Sequence, residues 1–164
     1  MKKLILILLV TMILPVAVFA DVGIGGAAFF KSPVLIGQPV VTGSLNVDQL
    51  SFGGDLRLKL GWFQAEALLL YSAGASSSLN MYLDAGIALD VAIVRLSVGA
   101  GPNLATNFGG SPAVQAGLNA KVGADLMLGP ISVGAAYIMS LDLDNGISLK
   151  TSSGLLGVNV LFWM

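Results

Sequence analysis

Nine acidic and eight basic side chains, with no histidine and no cysteine, carry whatever chemistry this chain of 164 residues performs. The two missing types decide much. Histidine-based acid–base catalysis, thiolate nucleophiles, disulfides and cysteine-anchored zinc sites are all excluded. What remains is carboxylates set against ammonium and guanidinium groups, and the spacing says how they meet. Asp55, Arg57 and Lys59 occupy alternate positions, as do Lys121, Gly123 and Asp125, so each set projects from one face of an extended strand. A two-residue turn at Gly61-Trp62 puts Arg57 opposite Glu66 and Lys59 opposite Gln64. A matching turn at Asp90-Val91 sets Arg95 opposite Gly86, beside Glu66. Asp55, Arg57, Lys59, Glu66, Asp84, Arg95, Lys121 and Asp125 then form one enclosed network of four acids and four bases. Buried charges persist only when paired, so the network reads as a structural ion-pair plug, and its functional alternative is a narrow or gated conduction path.

Other constellations carry less. Gly23-Ile24-Gly25-Gly26 and Gly99-Ala100-Gly101 are similar to phosphate-binding glycine loops, yet each lies inside a strand pattern with no helix after it. Asp142-Leu143-Asp144-Asn145-Gly146 is similar to the start of a calcium loop, but the bidentate glutamate downstream is missing and Asn-Gly is a turn signal. Ser76, Ser77 and Ser78 have no histidine to activate them. The expectation is a chain without catalytic residues, cofactor or metal, and not an enzyme.

The elements that position the charged network follow from composition. Hydrophobic residues make up 55% of the chain and charged residues 10%, against roughly 25% charged in soluble domains; the mean hydropathy is +0.88. A helical membrane protein concentrates such content in runs of about 20 apolar residues, and beyond the first twenty positions no such run is free of charges or glycines. Residues 1 to 20 read as a cleaved signal peptide: Lys2 and Lys3, an apolar stretch from Leu4 to Leu14, Pro15, then Val18-Phe19-Ala20 with small side chains at the cleavage-determining positions. The remainder, 21 to 164, is one domain. It holds six basic and nine acidic residues and offers no basic patch for nucleic acid.

In that remainder apolar and polar residues alternate with period two, the mark of two-faced strands. Phe52, Gly54, Leu56, Leu58 and Leu60 face away from Gly53, Asp55, Arg57 and Lys59. Eight such segments occur, at roughly 22–31, 50–61, 62–73, 79–89, 92–103, 113–127, 131–143 and 153–163. Their lengths are near the 9 to 11 residues a tilted strand needs to cross a bilayer. Tight connections near Gly61-Trp62, Asp90-Val91 and Gly129-Pro130 alternate with longer ones at 32–49, 74–78, 104–112 and 144–152. An even strand count with both termini at the tight-turn end closes the sheet, which lipid demands because no edge may stay unpaired. The apolar set faces lipid and the set rich in Gly, Ser and charges fills the lumen. Trp62, Phe63, Tyr71, Phe162 and Trp163 are expected as interface aromatics, with Phe29, Phe30 and Phe52 near the loop ends.

Together the leader, the eight alternating segments, the loop asymmetry and the apolar last strand Leu156-Gly157-Val158-Asn159-Val160-Leu161-Phe162 resemble the small eight-stranded outer-membrane proteins of diderm bacteria, the group containing the OmpA transmembrane domain and the OmpX-like and OmpW-like proteins. Many members end in an aromatic residue read by the barrel-insertion machinery; this chain ends Phe162-Trp163-Met164. The resemblance implies an all-β, eight-stranded antiparallel transmembrane β-barrel in the outer membrane, porin-like in build, with outer-membrane lipid and the insertion machinery as partners. Its expected role is structural or surface interaction through external loops. The first loop, Ser32 to Gln49, carries the apolar clusters Val34-Leu35-Ile36 and Val40-Val41, suited to a hydrophobic small molecule or an external surface ligand. The alternative is a narrow channel or an OmpW-like conduit for small hydrophobic compounds.

Overall fold

In the computed structural model, which describes residues 20–32, 49–73, 77–108, 114–142 and 148–164, the period-two segments all become strands. They are β1 (Asp21–Ser32), β2 (Leu50–Leu60), β3 (Phe63–Ser72), β4 (Ser78–Val91), β5 (Val94–Asn107), β6 (Val114–Leu128), β7 (Ile131–Asp142) and β8 (Ser148–Trp163). Each pairs antiparallel with its neighbours in sequence, and β8 returns to β1 to close the barrel. Val22 and Met164 exchange both backbone hydrogen bonds at 3.0 and 2.9 Å, tying the two ends at the tight-turn rim. Residues 1–19 of the expected leader, the first-loop clusters at 34–36 and 40–41, Ser76 and the Asp144-Asn145-Gly146 turn lie outside the described residues.

The two faces sort as the alternation requires. Ile24, Leu56, Leu69, Leu89, Val122 and Val158 are exposed on the outer wall, which lipid rather than water must cover, since a soluble protein rarely carries an apolar surface of that extent. Charged side chains occupy the inner positions of β2 to β6. Close strand approach also depends on residues without a side chain: a Cβ on Gly53 would overlap the Leu69 carbonyl oxygen of β3. The β4–β5 register runs from Ser78↔Asn107 to Tyr82↔Asn103 and resumes at Ala85↔Ala100. The gap falls beside Pro102, whose nitrogen has no hydrogen to give the ladder.

The turn joining β4 to β5 differs from the expected Asp90-Val91. It is Ala92-Ile93, with Val91 paired to Val94. β4 therefore runs two residues further toward the rim, to Val91, and β5 begins two residues later than expected, at Val94. Gly61, Ala92 and Gly129 begin the three tight turns with φ of 61°, 55° and 68°, the positive value that the first position of a II′ hairpin turn requires and that glycine meets without a steric penalty. Without a glycine at 92, the sequence gives no local mark of where this turn sits. Replacing Ala92 by glycine removes that penalty, and Ala92→Gly is expected to raise stability by about 1 kcal/mol, read as a higher unfolding midpoint of the barrel in detergent.

Candidate functional site

The eight charged residues expected inside the barrel all face the lumen and are buried, from Arg57 and Asp125 at 1% exposure to Lys59 at 8%. Tight turns fix which of them meet. The Gly61-Trp62 turn places Arg57 opposite Glu66 and Lys59 opposite Gln64, as the spacing predicts. Arg57 Nε lies 3.5 Å from Glu66 Oε2, but its nearer partners are other carboxylates. Nη2 donates to Asp55 Oδ2 at 2.8 Å and Nη1 to Asp125 Oδ2 at 2.8 Å. Glu66 in turn accepts from Lys121 Nζ. Asp125 and Lys121 come from β6, so these pairs tie β2 and β3 to a strand on the far side of the lumen.

Gly134 makes room for the crossing. It pairs in register with both Asp125 and Asn159, and a side chain there would overlap their carboxyl and amide oxygens. Asn159 Nδ2 donates to Asp55 Oδ2 at 3.4 Å, and Asn119 Nδ2 donates to Asp84 Oδ1. Both amides occupy inward positions, on the same face as Lys121 and Asp125 in one case and Leu161 in the other. A charge inventory passes over them although alternation assigns them to the lumen.

Arg95 is not opposite Gly86. With the turn at Ala92-Ile93, Gly86 pairs with Gly99 and Arg95 pairs with Asp90. Arg95 Nε donates to Asp90 Oδ1 at 2.6 Å, and Lys59 Nζ lies 2.9 Å from Asp90 Oδ2. Asp90 thus joins the network at the turn-side mouth as a fifth acid, where its side chain keeps 41% exposure. The Arg95 guanidinium also lies over the Trp163 ring, 4.3 Å from its centroid, a cation–π arrangement.

Trp163 is therefore not an interface aromatic. It is 9% exposed and points inward, donating from Nε1 to Ser132 Oγ at 2.9 Å. Its place follows from the parity of Asn159 and Leu161, which put position 163 on the lumen face. Trp62, Phe63, Tyr71 and Phe162 are exposed on the outer wall, and Tyr71 meets Phe52 edge to face at 5.9 Å. Phe29, expected at the loop end of β1, is buried at 1% against Gly157, its partner in register.

Phe29 belongs to a layer that the alternation does not reveal. Ala27, Phe29, Leu68, Leu70, Tyr82, Ala136 and Ile138 form a buried apolar cluster, with Leu155 packed against it. All face inward in the half of the barrel nearer the long loops. The lumen thus has two tiers, an apolar one toward the loops and a charged one toward the tight turns. Lys121 Nζ, 5.9 Å from the Phe29 ring centroid, marks where they meet. Moving an ion into an apolar medium costs of the order of tens of kcal/mol by Born solvation.

No protein-family model matches the sequence, and no curated protein matches it. Solved structures do resemble it. The N-terminal β-barrel domain of Pseudomonas aeruginosa OprF aligns with a TM-score of 0.67 at 14% identity, over 88% of this chain and 97% of that one. Neisserial surface protein A aligns at 0.55 and 17% identity, over 87% and 96%. Ail, the attachment invasion locus protein of Yersinia pestis, aligns at 0.52 and 15% identity, over 88% and 97%. The chain has the fold of the small eight-stranded outer-membrane β-barrels.

Proposed function

We propose that this protein is an integral outer-membrane barrel whose lumen is a structural plug and whose activity resides in the external loops. On this reading residues 1–20 are a signal peptide removed on export, and residues 21–164 are inserted by the barrel-insertion machinery. The observation that carries it is the two-tier filling of the lumen: seven apolar residues buried in contact on the loop side and a cross-lumen ion-pair set on the turn side. A barrel filled in this way serves as an anchor. Its first loop contains Val34-Leu35-Ile36 and Val40-Val41, apolar groups that a loop in water has no reason to carry, and these are the contact for a hydrophobic surface or molecule outside the cell.

Cells displaying the intact chain are expected to adhere to hexadecane droplets, and deletion of residues 34 to 41 to abolish that adhesion. The purified barrel is expected to leave a planar bilayer silent. Unchanged adhesion of the deletion variant, together with altered uptake of small hydrophobic compounds, would overturn this reading in favour of an OmpW-like conduit.

A further inference from the structure

Three features of the lumen coincide among the described residues: a carboxylate with no ion pair, one negative charge in excess, and a cavity of single-ion size. Four of the five network carboxylates are ion-paired, Asp55 and Asp125 with Arg57, Glu66 with Lys121, and Asp90 with Lys59 and Arg95. Asp84, 6% exposed, has no ion pair among the described residues. Against five acids stand four bases, so the network lacks one positive charge, and the shortfall falls on Asp84. Asn119 satisfies Asp84 Oδ1; among the described residues Oδ2 is buried without a donor, and so is Oε1 of the buried Gln64.

Both residues line one cavity of about 10 Å³, together with Glu66, Ser97, Gly99 and Lys121. That volume takes a single water-sized occupant. It exists because Gly86 and Gly99 face each other in register and neither fills the space with a side chain. The Lys121 ammonium donates to Glu66 and makes no ion pair with Asp84 among the described residues, and the cavity groups without a hydrogen-bond partner there are both oxygens.

We propose that this cavity binds one monovalent cation, with Asp84 Oδ2 and Gln64 Oε1 among its ligands. Oxygen donors suit a hard cation. A single charge fits because only two carboxylates line the space, one of them already paired, and no group of three metal-binding side chains occurs among the described residues. A water molecule there satisfies the oxygens but brings no positive charge to the carboxylate, whose burial without an ion pair is costly.

Crystals of the folded barrel soaked in a thallium(I) salt are expected to show an anomalous peak between Asp84 and Gln64. The unfolding midpoint in detergent is expected to be higher in sodium or potassium chloride than in N-methylglucamine chloride at equal ionic strength, because a ligand held only by the folded state stabilises it. Asp84→Asn abolishes both signals. Should that variant not fold, Gly99→Ala tests the same point with Asp84 intact. Its added methyl would meet Ala85 O at 3.4 Å and the Asp84 Cβ at 3.5 Å, ordinary contacts, while taking the space the ion needs. A wild-type barrel with no peak and equal midpoints in all three salts overturns the proposal and assigns a proton to Asp84. A cation-specific shift that survives in Asp84→Asn or Gly99→Ala overturns it as well.

Discussion

Arg57→Ala is expected to prevent the barrel from reaching its heat-resistant folded form. Arg57 holds three carboxylates, Asp55 and Asp125 at 2.8 Å and Glu66 at 3.5 Å, and all four side chains are 3% exposed or less. Removing the guanidinium leaves Asp55 and Asp125 buried with no cation, and breaking a buried pair from one side costs about 3–5 kcal/mol. Total stability is often only about 5–15 kcal/mol, so one substitution removes a large share of it. Arg57→Lys is expected to recover part of the loss, because a single ammonium lacks the planar fork that reaches two carboxylates on opposite sides of the lumen. The triple variant Arg57→Leu, Asp55→Ala and Asp125→Ala, which removes the charges together, is expected to refold nearly as well as the parent. Migration of unboiled and boiled samples on a gel reads all three. A folded, heat-resistant Arg57→Ala barrel would show that the network contributes little.

The network was legible in the sequence to the extent that alternation governs it. Positions 55, 57 and 59 share a face whatever the barrel does around them, and Gly61 marks the turn that puts Glu66 across from Arg57. The Arg95 contact was not legible, because its turn begins at Ala92, an alanine at a φ of 55°, and no glycine marks the place. Moving the turn by two residues shifts the register by four, from Gly86 to Asp90 opposite Arg95, which keeps every side chain on its proper face but changes each partner, so the fold is recovered while the Arg95 contact is lost. The apolar tier was hidden for another reason. Leu68-Leu69-Leu70 and Phe29-Phe30 are apolar on both faces, so alternation disappears there, and only the closed barrel separates buried Leu68 and Leu70 from exposed Leu69. Trp163 falls between these cases: its parity with Asn159 places it inside, while its position at the chain end next to Phe162 invites assignment to the membrane interface.

Two tiers in series give the second large prediction, a silent bilayer that opens only when both are breached. Phe29→Ala with Leu68→Ala hollows the apolar tier. Each truncation is expected to cost about 2–5 kcal/mol, and the Arg57 and Lys121 pairs below remain in place. The complementary change, Glu66→Ala with Lys121→Ala, removes both partners of one cross-lumen pair, which strands neither, and leaves the apolar tier sealed. Each double variant is expected to stay silent in a planar bilayer, and the quadruple variant to give discrete openings, provided its unboiled gel band confirms a folded barrel. Conduction by the apolar-tier variant alone would mean that the charged tier passes ions on its own. The lower half would then be a channel with an apolar lid, and the anchor reading of the lumen would fall. Silence of a folded quadruple variant would instead place further occlusion at the Arg57 pairs with Asp55 and Asp125, which it leaves in place, or among the amides of Asn119 and Asn159 and the mouth cluster of Lys59, Asp90, Arg95 and Trp163.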